Sequence, residues 1–217
     1  MIYISNLTKV YKKQIVLDDI TAAFEGGNIY GLVGPNGCGK TTLMRCICGF
    51  TLPTGGTVTV NGKRIGKDCD FAPSTGVIIE TPGFLGHFSG KRNLEMLAAI
   101  SGKADSKRVQ DVIRMVGLDP EDQKPVGKYS LGMRQRLGIA QAVLEDPAVL
   151  ILDEPFNGLD KDGIWGMHQF LQRLKAQGKC IILASHSEND IALSCDAVYQ
   201  IKAGKLWLQK ENGRVDQ

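Results

Sequence analysis

Asn28-Ile29-Tyr30-Gly31-Leu32-Val33 runs directly into Gly34-Pro35-Asn36-Gly37-Cys38-Gly39-Lys40-Thr41-Thr42. The first six residues read as a buried strand. The next eight fit G-x-x-x-x-G-K-[ST], and after them Leu43, Ile47 and Phe50 recur at the core spacing of a helix. Strand, glycine-rich turn and helix, in that order, are the context in which such a loop holds phosphate. Glycines let the backbone curl so that successive N–H groups point at phosphate oxygens. The helix presents its positive N-terminal end to the same anion. Lys40 reaches the β- and γ-phosphates, the Thr41 hydroxyl can ligate Mg²⁺, and Thr42 belongs with them among the ATP-binding residues. The expected cofactors are ATP and Mg²⁺.

Outward from this stretch, residues 2–7 and 15–24 alternate apolar and polar as short strands do, and 55–61 follow a Pro/Gly turn as another. From 93 to 117 apolar residues recur at helical spacing: Leu94, Leu97 and Ala98, then Val109, Val112, Ile113 and Val116. Gly102 and Asp105-Ser106 split them into two helices, the second capped. Strand and helix then alternate again: 148–152 strand, 164–175 helix, 180–184 strand. Two strands around Gly204 close the chain, at 197–201 and 205–208. Central strands without alternation, separated by helices, imply an α/β fold with a mainly parallel core sheet. An antiparallel β part precedes it, and a helical subdomain at about 84–145 is inserted within one domain spanning 1–217. Trp165 and Trp207 are expected to be packing residues, and His87 and His168 to lie at the surface.

A second constellation stands at 150–154, Leu-Ile-Leu-Asp-Glu. Asp153 and Glu154 end a buried strand, where parallel sheets bind their ligands. Asp153 is placed to hold Mg²⁺ and Glu154 to accept a proton from an attacking water.

Bulk properties narrow the classes. The chain has 217 residues, 26 Lys+Arg against 23 Asp+Glu and a formal charge of +3, too balanced to suggest nucleic acid as a partner. Its six cysteines form no C-x-x-C pair or zinc spacing, which fits reduced thiols in a cytosolic setting. The N-terminus lacks a signal-peptide pattern, and no apolar run approaches the roughly 20 residues that span a bilayer. A membrane role must run through a partner.

With these motifs the chain resembles the ATP-binding subunits of ABC transporters over nearly its whole length. The resemblance rests on motif order: the phosphate loop, a mid-chain loop at Ile79-Glu80-Thr81, a signature at Tyr129-Ser130-Leu131-Gly132-Met133, Asp153-Glu154, a D-loop at Asn157-Gly158-Leu159-Asp160, and His186. The usual signature reads L-S-G-G-Q, so Leu131 and Met133 depart from it while Ser130 and Gly132 are kept. The resemblance implies that Ser130 and Gly132 meet the γ-phosphate held by a second copy, in a two-fold sandwich with two ATPs at the interface. It also places Asp160 at that interface, His186 against γ-phosphate, Tyr11 stacked on adenine and Glu80 on Mg²⁺. It implies ATPase activity with Glu154, His186 and Lys40 catalytic, and a separate permease that alone contacts substrate at the cytoplasmic face of the membrane. Glu80, the altered signature and Asn157 together resemble bacterial bacitracin- and lantibiotic-type exporters. Soluble relatives that act on DNA or the ribosome carry a long coiled-coil insert or two ATPase domains in one chain, and this sequence has neither. A nucleotide sensor that barely hydrolyses ATP is disfavoured by Glu154.

Overall fold

In the computed structural model, residues 1–80 and 83–211 are described. Strand order divides them into two sheets. Strands β1 (Ile2–Tyr11), β2 (Gln14–Phe24), β4 (Gly55–Val60) and β5 (Lys63–Arg64) form an antiparallel sheet in the order β2-β1-β4-β5. Strands β3 (Asn28–Val33), β6 (Thr75–Ile78), β7 (Val149–Asp153), β8 (Cys180–Ala184), β9 (Ala197–Lys202) and β10 (Lys205–Glu211) form the larger sheet, β10-β9-β3-β8-β7-β6. All its pairings are parallel except the hairpin of β9 with β10. The α/β fold class is as expected.

Side-chain alternation explains why the central strands are apolar throughout. On β8, Ile181 and Leu183 enter one core while Cys180, Ile182 and Ala184 enter the other. Both faces are therefore covered, and neither can carry polar residues. The first core holds α1 (Lys40–Cys48) between the two sheets, through Leu43, Met44 and Ile47. The opposite core packs α2 (Gly90–Ser101), α3 (Ser106–Met115), α4 (Leu131–Val143), α5 (Lys161–Ala176) and α6 (Glu188–Ser194). Helices α2, α3 and α4 lie in sequence between β6 and β7. Ser89 and Asp105 cap α2 and α3, accepting from Arg92 and Arg108 N–H.

Several expectations need correction. Phe50 is not a core residue: Gly49 adopts a left-handed conformation (φ 84°) that ends α1 at Cys48, and Phe50 is 54% exposed. Leu97 lies at the surface of α2. Trp165 and Trp207 are exposed rather than packed. Helix α5 starts three residues before the expected 164, and its inward face is Met167, Phe170, Leu171 and Leu174, which turns Trp165 outward. His168 is buried, not at the surface, because α6 covers it and supplies its partners. His87 is exposed, as expected.

Candidate active site

The sheet brings four separated segments to one edge. The loop after β3 and the ends of β6, β7 and β8 all open at the carboxyl end of parallel strands. Together they border a cleft of about 380 Å³ lined by Gly37, Gly39, Lys40, Thr41, Thr42, Glu80, Asp153, Glu154 and His186, among others.

The loop is built for close approach. Gly34 has φ 149°, and a Cβ there would come within 2.2 Å of Ile201 O. Gly39 has φ 115°, and its Cβ would press on Leu17 and Val16. Gly34 has no room for a side chain, and at Gly39 the positive φ would strain one. The helix start is left without a side-chain cap, so its N–H groups remain available to an anion. Lys40, 8% exposed, donates from Nζ to Gly34 O at 2.6 Å and Pro35 O at 3.2 Å. Pro35, Asn36 and Cys38 complete the turn, with Cys38 N–H donating to Pro35 O.

Thr41 Oγ1 donates to Asp153 Oδ2 at 2.9 Å across 112 residues of sequence. A hydroxyl and a carboxylate side by side are hard oxygen donors of the type Mg²⁺ selects. Among the described residues no three His, Cys, Asp or Glu converge as a metal cluster. The pair therefore fits an ion that also takes oxygens from phosphate and water.

Glu154 has a left-handed backbone (φ 53°), unusual for a residue with a side chain. It is clamped on both sides: its N–H donates to Ala184 O at 2.9 Å, and its carbonyl accepts from Gln135 Nε2 at 3.0 Å. Its carboxylate faces His186. The backbone N–H of His186 donates to Oε2 at 3.3 Å, and His186 Nε2 lies 3.3 Å from Oε1. That second approach lacks hydrogen-bond alignment, since Oε1 is buried without a bond among the described residues. Burial pushes the Glu154 carboxyl above its ordinary range and Asp153 adds to the rise, while His186 and Lys40 oppose it. A carboxylate so tuned, with an oxygen unsatisfied at the cleft, suits proton transfer.

Glu80 also has φ 65°. Its Oε1 is 2.5 Å from Arg45 Nη2, one helical turn past Thr41. Its neighbour Thr81 lies outside the described residues. Tyr11 sits at the β1–β2 hairpin, 43% exposed, with Lys9 Nζ over its ring at 4.8 Å.

Ser130, Gly132 and Asp160 do not join this cleft. Ser130 caps α4 by accepting from Met133 N–H, and Asp160 caps α5 by accepting from Gly163 N–H. With Gly132 and Gly158 they line a separate cavity of about 320 Å³. A Cβ on Gly132 would come within 2.5 Å of Gly158 O, which fixes the signature turn against the D-loop.

Sequence reasoning missed two supports. Arg45 was findable, since it lies four residues after Thr41 on the same helix face. Gln135 was not: its role depends on a turn 19 residues away.

This geometry defines a phosphate-loop nucleotide site with an acid pair and a histidine on a doubly covered parallel sheet. A family model described as ABC transporter matches residues 17–157. The chain is 43% identical to an uncharacterized ABC transporter ATP-binding protein of Bacillus subtilis (strain 168), over 95% of this chain and 94% of that one. It is 41% identical to a bacitracin transport ATP-binding protein of Enterococcus faecalis, over 93% of this chain and 66% of that longer relative. It is 35% identical to a lantibiotic transport ATP-binding protein of Streptococcus pyogenes, over 97% and 91%. Among solved structures, an ATP-binding subunit of an ABC transporter superposes with TM-score 0.86 at 27% identity, over 96% and 90%. A cassette solved as a dimer in a post-hydrolysis state with ADP and Pi superposes with TM-score 0.88 at 21% identity, over 99% and 100%. The chain belongs to the ABC transporter family, as an ATP-binding subunit with ATPase activity. Among the described residues no helix is long and apolar enough to cross a membrane.

Proposed function

We propose that two copies of this chain close on two ATP molecules and drive a separate permease that exports a peptide antibiotic from the cytoplasmic face of the membrane. The observation that carries the dimer is the split between the two cavities. Lys40, Asp153, Glu154 and His186 border one, and Ser130, Gly132 and Asp160 the other. Leu131, Arg134 and Asn157 of the same chain border the Lys40 cleft, but Ser130, Gly132 and Asp160 do not line it, and a two-fold partner can present them.

In this reading Lys40 gives up its carbonyl partners for phosphate oxygens, which are charged and stronger acceptors. Thr41 and Asp153 hold Mg²⁺, which when bound neutralises charge on the phosphates. Glu154 Oε1 accepts the proton of the attacking water. His186 donates toward the γ-phosphate and keeps the carboxylate oriented. Tyr11 stacks on the base. Ser130 and Gly132 of the partner copy close the site, and hydrolysis reopens it. The names of the bacitracin and lantibiotic relatives support export of a peptide.

Glu154→Gln tests the assembly. It removes the base but keeps the shape, so ATP hydrolysis should fall by about a hundredfold or more while ATP binding persists. Size-exclusion chromatography with Mg-ATP should show dimer for the variant and monomer once ATP is removed. A variant that stays monomeric with saturating Mg-ATP sinks the sandwich.

A further inference from the structure

Across the sheet from the phosphate loop, one buried polar cluster has no part in the chemistry described so far. His168 on α5 is 6% exposed. Its Nδ1 is 2.5 Å from Ser194 Oγ, and its Nε2 is 3.4 Å from Asp190 Oδ1, both on α6. Its ring lies 4.7 Å from that of Phe156, two residues after Glu154, with the planes tilted by 36°. Asp190 and Ser194 are themselves 7% and 2% exposed. Gln172, one turn further along α5, donates to Ser194 O at 3.0 Å.

Buried polar groups are costly unless they meet partners. If Nδ1 accepts from the Ser194 hydroxyl, Nε2–H faces the Asp190 carboxylate at 3.4 Å without hydrogen-bond alignment, an electrostatic contact and not a formed bond. The cluster is also the only point where polar side chains of α5 reach both the Glu154 segment and α6 among the contacts described. The first turn of α6 is tied to His186: Ser187 Oγ accepts from Asp190 N–H at 3.2 Å, and Ser187 N–H donates to Ser185 Oγ at 3.1 Å. His186 therefore sits in a turn whose far side is held by Asp190. The other side of the reacting pair, Glu154, leads directly into Phe156.

We propose that His168 is a positioning residue for ATP hydrolysis: by joining Phe156, Asp190 and Ser194 at one point on α5, it sets where His186 stands against Glu154. This rests on the roles of Glu154 and His186 given above. His168 does not line the Lys40 cleft. The phosphate loop is held in the opposite core by α1, so nucleotide binding is independent of it.

The test is steady-state ATPase kinetics of the full chain with Mg-ATP, well below the melting temperature of each variant. His168→Leu fills the space but leaves Asp190 buried without its partner. Its kcat should fall about tenfold or more with KM for ATP within about twofold. Asp190→Ala releases α6 from the other side and leaves no buried charge, so it remains informative if His168→Leu does not fold. It should show the same split. His168→Gln restores an N–H donor and should return kcat to within about threefold of the parent chain. Met167→Ala, in the same core and 4% exposed, should lower the melting temperature with kcat unchanged. An unchanged kcat in Asp190→Ala, a KM that rises in step with the fall of kcat, or the same loss in Met167→Ala overturns the proposal. A fully active Glu154→Gln chain sinks the proposed site instead. An inactive Glu154→Gln beside a fully active Asp190→Ala sinks the positioning role alone.

Discussion

The phosphate loop and the signature turn both use glycine and both begin a helix, yet they are finished differently. Helix α1 starts at Gly39 with no side-chain cap, and Lys40 lies folded over the carbonyls of its own loop. Helix α4 starts at Ser130, whose hydroxyl already accepts from Met133 N–H. The first is a cradle whose helix start has no side-chain cap, with Lys40 parked on loop carbonyls. The second has one donor, the Met133 N–H, already taken by the Ser130 hydroxyl. A helix start with no cap offers all its first-turn N–H groups to an anion, whereas a capped one offers fewer. The difference supports the proposal that the chain carries one binding loop and one lid for another copy.

The largest effect should come from the cradle. Lys40→Ala removes the charge that replaces water around the phosphates, and ATP hydrolysis should drop by about a thousandfold, with weaker ATP binding in a fluorescent-nucleotide titration. Wild-type turnover in this variant would falsify the loop assignment.

The sharpest way to break the comparison is a mixing experiment. Ser130→Asp keeps a capping oxygen but puts negative charge where a phosphate should approach. Alone, it should lose about a hundredfold in ATP hydrolysis and keep ATP binding. Mixed equally with Lys40→Ala, half of the dimers pair an intact loop with an intact signature at one of two sites. The mixture should recover about a quarter of parental activity if the sites act independently. If both regions served their own chain, mixing two dead variants would restore nothing.

Thiol chemistry gives a smaller, local probe. Burial pushes Cys46 and Cys180 up to about 11 and Cys48 and Cys195 up to about 12, so these stay as thiols at neutral pH. Cys38 and Cys69 are partly exposed, and only Cys38 is in the cradle. An alkylating reagent should inactivate the chain and ATP should protect it. Cys38→Ala should resist the same dose; equal inactivation would place the damage elsewhere.

Legibility followed the same division. The cradle was readable because eight contiguous residues fix it, and Asp153-Glu154 because a buried strand points them at the cleft. Contacts between elements were not. The bond from Gln135 to Glu154 depends on where α4 lands. His168 reads as polar and therefore exposed until α6 covers it. Phe50 has core spacing, but Gly49 stops the helix before that spacing can act. Local rules give the loop and the strand ends; docking of helices decides which polar residues are buried behind them.

Glu80 should give the smallest effect and the finest distinction. Its carboxylate is bound to Arg45, so it must leave one cation to reach another. The bridge is largely exposed, with side chains 41% and 66% accessible, and such pairs are worth at most about 1 kcal/mol. Leaving it is therefore cheap once Mg²⁺ arrives with ATP. A carboxylate binds Mg²⁺ more strongly than an amide carbonyl, so Glu80→Gln should need more Mg²⁺ for half-maximal activity. The rate at saturating Mg²⁺ should stay within about tenfold, roughly 1.4 kcal/mol of barrier. Arg45→Ala frees the carboxylate beforehand and should shift the Mg²⁺ titration the opposite way. Two titrations that move in opposite directions put Glu80 on the metal. Two unchanged titrations make it a loop residue that faces the permease, and the cradle would then hold Mg²⁺ with Thr41 and Asp153 alone.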